Sequence, residues 1–352
     1  MHISSVSTGH PPHRYNQEQL VNALKKMWAT KHHNPRRVEQ LHKAVQVEER
    51  FLALPMDTYE QISDFTESND HFIQVGTDVA EQVLRDALDQ SGLTPRDVDA
   101  IFFVSVTGVA TPSIDAKLVN RLGLRPDVKR IPIFGLGCVA GAAGLARVHD
   151  YLQGYPDHVA VLVSVELCSL TLQPKDLSVA NLIASGLFGD GGACVVAVGD
   201  NHPSAKLGQA KIIASESRFY PDTEDVMGWK IGTDGFKVIL KATVPSLAEA
   251  HLRQDVDQFL AKHNLTRNDM THWVCHTGGP KVLQAFETAL ELPDNALHRS
   301  WTCLQTVGNL SSASVLFVLK ETLADADIQA GDYGLLLAMG PGFCCEMVLL
   351  SW

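Results

Sequence analysis

The sequence has little positive charge. Its 29 lysines and arginines are outnumbered by 40 aspartates and glutamates, and the formal net charge is -11. No long run of Lys and Arg offers a basic face, so the charge argues against a nucleic acid partner. The first residues lack a basic stretch followed by an apolar run, so we expect no secretory signal. The most apolar segment, residues 333–352, is interrupted by Gly340-Pro341-Gly342, which favours buried strands and predicts no membrane span.

Paired cysteine spacings are also missing. The seven cysteines include no CxxC pair and stand in apolar surroundings, which favours free thiols in a reducing compartment and a cytoplasmic location. Histidines such as His10 and His13 lack metal-ligand spacing, so we expect no metal site. Aromatic residues make up only 7% of the chain. Beyond Phe188, no local cluster of them suggests a stacking site for a flat ring.

What the chain does contain is an internal repeat. In each half a helical apolar pattern leads to a Thr-x-x-Asp capping signal, Thr94 to Asp97 and Thr266 to Asp269, and then to an apolar strand. Alternating helices and very apolar strands predict a layered α/β fold, and the repeat predicts pseudo-two-fold symmetry. We divide the chain into an N-terminal half, residues 1–203, and a C-terminal half, residues 204–352.

Cys138 is the candidate nucleophile. It lies where β-branched residues give way to glycines and a helix-forming run, so we expect it at a helix N-terminus. Such a position lowers a cysteine pKa from about 8.5 into the range of roughly 3.5–7.5. The repeat aligns Cys138 with Asn309, and His276 ends the strand before that second helix. All three would then meet at the seam between the halves, although a packing cysteine, a core histidine and an N-cap asparagine are the alternatives.

Cysteine, histidine and asparagine together suit acyl transfer through a thioester. Cys138 would carry the acyl group, with an imidazolium keeping its thiolate ionised at neutral pH. His276 and Asn309 would donate hydrogen bonds to the oxygen of an enolate during decarboxylation and condensation. A protease that uses Asn to orient His has the same residue types, and the residues alone do not separate the two.

Five motifs resemble, in order and spacing, those of the type III polyketide synthases, the chalcone-synthase-like enzymes of the thiolase superfamily. They lie at residues 135–141, 187–192, 275–280, 307–312 and 340–343. The resemblance implies a homodimer with a thiolase-like αβαβα fold and the catalytic triad Cys138, His276 and Asn309. It also implies an acyl-CoA starter loaded on Cys138, extension with malonyl-CoA, and cyclisation in one cavity. CoA thioesters would be the substrates, with no bound cofactor.

The resemblance further implies a gate and a set of substrate-binding residues. Phe188 falls on a gatekeeper phenylalanine, and the position of the second gatekeeper holds Val238, with Phe236 two residues earlier. Candidates for the CoA phosphates are the basic residues Arg36, Arg37 and Lys43, for which a solvated helix face is the alternative. The remaining candidates to bind substrate are Cys168, Thr171, Leu187, Ser311, Met339 and the loop Gly278, Gly279 and Pro280.

Residues 165–171 and the C-terminal segment look like those of bacterial members that make alkylpyrones or alkylresorcinols. We therefore expect an aliphatic acyl-CoA starter, a wide and weakly aromatic cavity, and an alkylpyrone or alkylresorcinol-type product. Two other interpretations remain. One is a ketoacyl-ACP synthase III-like condensing enzyme, and the other is a catalytically silent thiolase-fold partner, which would normally have lost the nucleophile.

Overall fold

A computed structural model of the chain describes residues 1–29 and 34–352. The strands are β1 (His2–Gly9), β2 (His13–Asn16), β3 (Glu49–Leu52), β4 (Ala100–Val104), β5 (Lys129–Ile133), β6 (Val159–Leu167), β7 (Asp190–Val198), β8 (Ala210–Phe219), β9 (Met227–Gly232), β10 (Gly235–Leu240), β11 (Met270–Cys275), β12 (Tyr333–Gly340) and β13 (Cys344–Ser351). The helices are α1 (Gln17–Met27), α2 (Pro35–Ala44), α3 (Phe65–Ser91), α4 (Ile114–Leu122), α5 (Ala140–Gly154), α6 (Val179–Leu187), α7 (Val244–Ala261), α8 (Pro280–Leu290), α9 (His298–Val307) and α10 (Ser314–Leu323).

Nine strands form one mixed sheet in the order β11-β12-β13-β8-β1-β7-β6-β4-β5. The run β4, β6, β7, β1 in the N-terminal half matches the run β11, β12, β13, β8 in the C-terminal half. Each run has one parallel pair followed by antiparallel pairs. The two runs meet where β1 pairs with β8. The order confirms the predicted duplication, and β5 is an additional edge strand of the N-terminal half.

Alternating residues along the strands separate three apolar cores. In β6, Ala160 and Leu162 face a central core that also contains α5, α10 and residues of β12, whereas Val161 and Val163 face α3. In β12 the residues Leu335 and Leu337 face α7 and α8 instead. Because successive strand residues point to opposite faces, this pattern produces five layers in the order helix, sheet, helix, sheet, helix. The predicted layered α/β fold is therefore confirmed.

The repeated capping signals form as predicted. Thr94 and Thr266 each cap a short 3-10 turn, and the backbone N–H of each donates to the carboxylate of Asp97 or Asp269 at 2.7 Å. Because the aspartate side chain satisfies donors at the N-terminal end that would otherwise be unpaired, each turn begins at a defined residue, shortly before β4 or β11.

The glycine-rich residues 190–192 belong to a strand, because β7 begins at Asp190 and pairs with β6 from its first residue. One local prediction was wrong: Cys138 and Asn309 are not strictly equivalent. Cys138 lies inside the 3-10 turn that precedes α5, whereas Asn309 lies two residues ahead of the matching turn, Ser311–Ala313. No helix in the described part of the chain is long and apolar enough to cross a membrane.

Candidate active site

The turn that carries Cys138 is held against the loop after β12. Gly137 has φ +56°, and a Cβ built on it would lie 2.6 Å from the Pro341 ring, so glycine is required on both counts. The Cys138 side chain is buried, with 9% of its surface exposed. Its Sγ lies 3.6 Å from Ser311 Oγ, which belongs to the C-terminal half. The nucleophile candidate therefore stands at the seam between the halves.

Asn309 is fixed by both its backbone and its side chain. Its N–H donates to Leu187 O at 2.9 Å, and its side-chain Oδ1 accepts from Ser311 N at 2.8 Å and from Ser314 Oγ at 3.4 Å. With the carbonyl end of the amide occupied, the NH2 end remains to donate to a substrate. Ser311 adopts φ 48°, a left-handed conformation that side chains rarely take up and that often marks functional sites.

His276 follows the last residue of β11, so it ends the strand as the sequence predicts. Its N–H donates to Leu337 O at 2.9 Å, and its ring is 3% exposed. Within residues 1–29 and 34–352 the buried Nδ1 has no hydrogen-bond partner. The next residue, Thr277, donates from Oγ1 to Gly308 O at 3.5 Å, which joins the His276 loop to the segment containing Asn309.

Burial favours the neutral forms of both titratable groups. It raises the pKa of the Cys138 thiol to about 12, against the hydrogen bond with Ser311, which acts in the opposite direction. It lowers the pKa of His276 to about 4. The sequence predicts a thiolate kept ionised by an imidazolium, and desolvation of the site acts against both of these charged forms.

A buried carboxylate that was not predicted from the sequence supports the same seam. Glu166 Oε2 accepts hydrogen bonds from Ser105 Oγ at 3.3 Å, Val106 N at 3.1 Å and Thr107 Oγ1 at 2.8 Å. Its Oε1 accepts from Ser312 Oγ. The network ties β6 of the N-terminal half to the residue beside Ser311. Nothing local in the sequence indicated it, because its members are brought together only by the fold.

The helix α6 separates two cavities. One face lines a narrow space of about 50 Å³, the inner cavity, and the other face lines a space of about 410 Å³, the outer cleft. Leu187, the last residue of the helix, borders the outer cleft, and the next residue, Phe188, borders the inner cavity. Phe188 and Asn309 are joined by a β-bridge. The peptide between Leu187 and Phe188 is thus the partition, and it lies beside Asn309.

Four of the predicted substrate-binding residues line the inner cavity together. They are Cys168, Thr171, Phe188 and Val238. Leu187 and the loop Gly278, Gly279 and Pro280 line the outer cleft. Ser311 contacts Cys138. Met339 instead packs in the apolar core of the C-terminal half.

Basic residues lie both at the outer cleft and on α2. Lys241 and Lys281 border the outer cleft. Arg36 and Arg37 are exposed on α2, and Lys43 borders a separate surface groove. The two lysines were not predicted from the sequence, although Lys281 directly follows the predicted Gly-Gly-Pro loop.

The inner cavity is more aromatic than expected. Trp229 lines it, with its ring centroid 6.4 Å from that of Phe188, and Trp229 stands directly opposite Val238 in the β9–β10 hairpin. Phe236 packs on Trp229 at 6.1 Å and on Phe65 at 5.5 Å, and it is not among the lining residues. The prediction of a weakly aromatic site was therefore wrong, because the hairpin brings together rings that are distant in sequence.

No group of three or more His, Cys, Asp or Glu side chains suited to a metal ion occurs in the described residues.

Comparison with known proteins identifies relatives over the whole chain. The family model for the N-terminal domain of chalcone and stilbene synthases matches residues 2–202, and the model for their C-terminal domain matches residues 211–351. The 1,3,6,8-tetrahydroxynaphthalene synthase of Streptomyces peucetius subsp. caesius is 50% identical over 350 residues, which is 99% of this chain and 93% of that protein. A putative chalcone synthase of Bacillus subtilis (strain 168) is 38% identical, with 99% of this chain and 98% of that protein covered.

A solved structure shows the same fold. The 1,3,6,8-tetrahydroxynaphthalene synthase of Streptomyces coelicolor A3(2), described as a bacterial type III polyketide synthase, superposes with a TM-score of 0.93 at 31% identity. The superposition covers 100% of this chain and 99% of that one.

Proposed function

The chain belongs to the chalcone and stilbene synthase family, and we propose that Cys138 is its acyl-carrying nucleophile, with His276 and Asn309 as the groups that bind the enolate. As a type III polyketide synthase the protein is an acyltransferase that condenses CoA thioesters with decarboxylation. The family match does not support the ketoacyl-ACP synthase or the silent-partner interpretation. One observation carries the assignment of roles: the contact of buried Cys138 with Ser311, which in turn fixes the amide of Asn309.

In the loading step, the Sγ of Cys138 attacks the carbonyl carbon of an acyl-CoA. The thiol proton passes to the imidazole of His276 as the sulfur attacks. The bond between the carbonyl carbon and the CoA sulfur then breaks, and the proton leaves with the CoA thiol. Cys138 is left as a thioester.

In the extension step, the bond between the malonyl carboxylate and its α-carbon breaks and carbon dioxide leaves. The bonding electrons form an enolate, whose oxygen would accept hydrogen bonds from the Asn309 NH2 group and from His276. The enolate carbon attacks the thioester on Cys138, and the Cys138 sulfur leaves. The chain is then longer by two carbons and is attached to CoA. The reaction as proposed uses CoA thioesters and no bound cofactor.

The outer cleft fits the CoA arm, and the inner cavity fits the growing chain. The Gly278–Gly279 backbone allows a close approach of the pantetheine arm, and Lys241 and Lys281 place positive charge at the same cleft for the CoA phosphates. Leu187 and Phe188 stand between the two spaces. Phe188 would therefore act as the gate through which the chain passes.

Malonyl-CoA as both starter and extender, with a polyhydroxylated aromatic product, fits this cavity better than an alkylpyrone or alkylresorcinol. The inner cavity is narrow, and it is lined by Phe188 and Trp229 together with polar Ser169 and Asn181. Among possible starters, a long alkyl group would require the inner cavity to expand the most, and a malonyl group would require the least expansion. The 50% identical relative is named for a naphthalene product, 1,3,6,8-tetrahydroxynaphthalene.

A homodimer is part of the proposal. β5 is the last strand of the sheet, and Phe134, directly after it, is 52% exposed. An edge strand next to an exposed aromatic residue is a surface that soluble proteins usually cover. Light scattering coupled to size-exclusion chromatography should give twice the mass of the chain. The cytoplasmic location stays a prediction from cysteine content.

The decisive experiment offers malonyl-CoA alone, and then malonyl-CoA with acetyl-, hexanoyl- or dodecanoyl-CoA, and identifies the products by mass spectrometry. A naphthalene-type product from malonyl-CoA alone supports the proposal. A product that always contains the added alkyl chain would favour the alkylpyrone or alkylresorcinol expectation instead.

A further inference from the structure

Arg50 on β3 holds the end of the helix that separates the two cavities. The residue is 2% exposed. Its Nη1 donates to Phe188 O at 2.7 Å, and its Nη2 donates to Ser185 O at 2.5 Å and to Gln17 Oε1 at 3.2 Å. A guanidinium buried this deeply needs acceptors for its donors. The two terminal nitrogens find them chiefly in backbone carbonyls of α6 and the residue after it, whereas Nε has no hydrogen-bond partner among the described residues.

Gln17 completes the contact. Its Oε1 accepts from Arg50, and its Nε2 donates to Gly186 O at 2.9 Å. The carbonyl of Leu187 accepts from Asn309 N. Four successive carbonyls, from Ser185 to Phe188, are thus satisfied by groups from outside the helix. The last carbonyls of a helix lack partners within it and carry the negative end of its dipole, which explains the buried cation there.

The same short segment connects Phe188 with Asn309. Asn309 N donates to the carbonyl before Phe188, and Gly189 N donates to Asn309 O at 3.0 Å. The carbonyl of Phe188 itself is bound by Arg50 on the other side. A Cβ on Gly189 would lie 2.4 Å from Val307 O and 3.2 Å from Arg50 Cβ, so the backbone here packs directly against both neighbours. A movement of Phe188 would therefore displace Asn309 as well.

We propose that Arg50 is a positioning residue for condensation, which fixes the partition at Phe188 and, through the bridged backbone, the amide of Asn309. The proposal rests on the proposed function of that amide. Arg50 also borders the inner cavity, but it contacts neither Cys138 nor the outer cleft. Its loss should therefore impair enolate formation and chain extension and leave the loading of Cys138 largely intact.

The planar guanidinium group of Arg50 explains why arginine is needed at this position. Its two terminal nitrogens reach two carbonyls that are three residues apart at the helix end, whereas a lysine ammonium keeps the charge but offers a single nitrogen. Burial lowers the pKa of Arg50 to about 10, and Asp190 acts in the opposite direction, so the group is charged at neutral pH. Arg50→Lys therefore tests geometry at constant charge.

The experiment compares the wild type with Arg50→Lys, Arg50→Met and Gln17→Ala, and uses Arg14→Met as the matched control. Arg14 lies on the adjacent strand β2, with its side chain 61% exposed and paired with Glu49. Three quantities are measured for each: the thermal unfolding midpoint, the rate at which Cys138 gains acyl mass from acetyl-CoA, and the rate of carbon dioxide release from malonyl-CoA.

For Arg50→Lys we expect loading within about twofold of the wild type and carbon dioxide release lower by about tenfold or more, because small displacements of a catalytic group can lower rates by that order. Gln17→Ala should show the same split to a smaller extent, and it keeps the test decisive if Arg50→Met does not fold. Arg14→Met should match the wild type in both rates.

Equal losses of loading and carbon dioxide release in Arg50→Lys and Gln17→Ala, or no loss in either, would overturn the positioning role. Absence of any Cys138 adduct in the wild type would instead overturn the proposed function, so the two failures are distinguishable.

Discussion

Gly141, in the first turn of α5, approaches the backbone of Ser312 so closely that a Cβ added to it would lie 2.1 Å from the Ser312 carbonyl oxygen. The same Cβ would lie 2.8 Å from Val315 Cγ1 on α10. The two central helices therefore meet at their first turns with no side chain between them. Cys138 lies in the 3-10 turn just before α5, and Ser311 begins the 3-10 turn just before α10. The contact between the helices therefore sets the distance between these two residues across the seam.

Gly141→Ala should therefore lower both stability and activity. The new methyl group collides with a backbone carbonyl, which cannot rotate away as a side chain could, and overpacking of this kind costs roughly 1–3 kcal/mol. Urea unfolding measures the free energy of unfolding, and product formation measures the activity.

The matched control is Gly154→Ala at the exposed end of the same helix, where a Cβ meets nothing within 4 Å. There we expect no loss, or a gain of up to about 1 kcal/mol. Equal effects at both sites would contradict the close-contact argument.

Cys138→Ser should abolish acyl loading. A serine hydroxyl in the same buried turn has no thiolate form to attack a thioester, so no adduct should be detected by intact-protein mass spectrometry after incubation with acetyl-CoA. Cys168→Ser is the matched control, because Cys168 is also buried and lines the inner cavity. This variant should still gain the acyl mass. An adduct that persists in Cys138→Ser and disappears in Cys168→Ser would show that Cys168, and not Cys138, is the nucleophile.

The parts of the fold that sequence could predict are those determined by nearby residues. Thr94 with Asp97, and Thr266 with Asp269, cap their turns through contacts three residues apart, and the strong apolar pattern of the strands is local as well. The register of Asn309 was not predictable in this way. Its backbone pairs with Leu187 and Gly189, a contact between distant segments that places Asn309 ahead of its turn.

The electrostatics and the lining of the site also depend on the whole fold. The helix-start pattern around Cys138 suggested a low thiol pKa, but burial of the thiol in the folded protein shifts the pKa in the opposite direction. Trp229 and Phe188 are far apart in sequence, and only the β9–β10 hairpin brings Trp229 to the cavity. The proposed triad residues could be singled out because each lies in a motif that contains glycine. The arginine that holds the partition lies in no such motif.

Asn309→Asp should separate the two half-reactions. The aspartate keeps an oxygen to accept from Ser311 N, but it lacks the NH2 donor proposed to bind the enolate oxygen. Loss of one such donor lowers rates by roughly 10²–10³-fold. We expect that loss in malonyl-CoA decarboxylation, measured as carbon dioxide release, with Cys138 still acylated. If Asn309→Asp decarboxylates normally while Asn309→Ala fails in both steps, Asn309 has only a structural role.

His276→Gln should make the free energy of unfolding depend less on pH between pH 7 and pH 5. The pKa of His276 in the folded protein is about 4, below the ordinary value of 6.5. As the pH falls through 6.5, His276 becomes protonated in the unfolded chain but stays neutral in the folded protein. The contribution of His276 to the free energy of unfolding therefore has its full value above pH 6.5 and decreases progressively down to about pH 4. Glutamine does not titrate. Between pH 7 and pH 5 the wild type should lose roughly 2 kcal/mol more than the variant in urea unfolding. Parallel profiles would show that the ring is not held neutral by burial.

Trp229→Ala should widen the choice of starter. The indole lines the inner cavity opposite Val238 and beside Phe188, so its removal enlarges the space available to a growing chain. Each methylene that becomes fully buried adds about 0.8 kcal/mol of binding free energy, so kcat/KM should rise from acetyl- to hexanoyl- to dodecanoyl-CoA in the variant and not in the wild type.

Two further variants make this test specific. Ile231→Ala, on the same strand but 53% exposed, should behave as the wild type. Val238→Phe adds a ring opposite Trp229 and should shift the preference toward the shortest starters. A wild type that already prefers dodecanoyl-CoA would contradict the narrow-cavity argument. An unchanged starter profile in both Trp229→Ala and Val238→Phe would show that this pair of residues does not limit the chain.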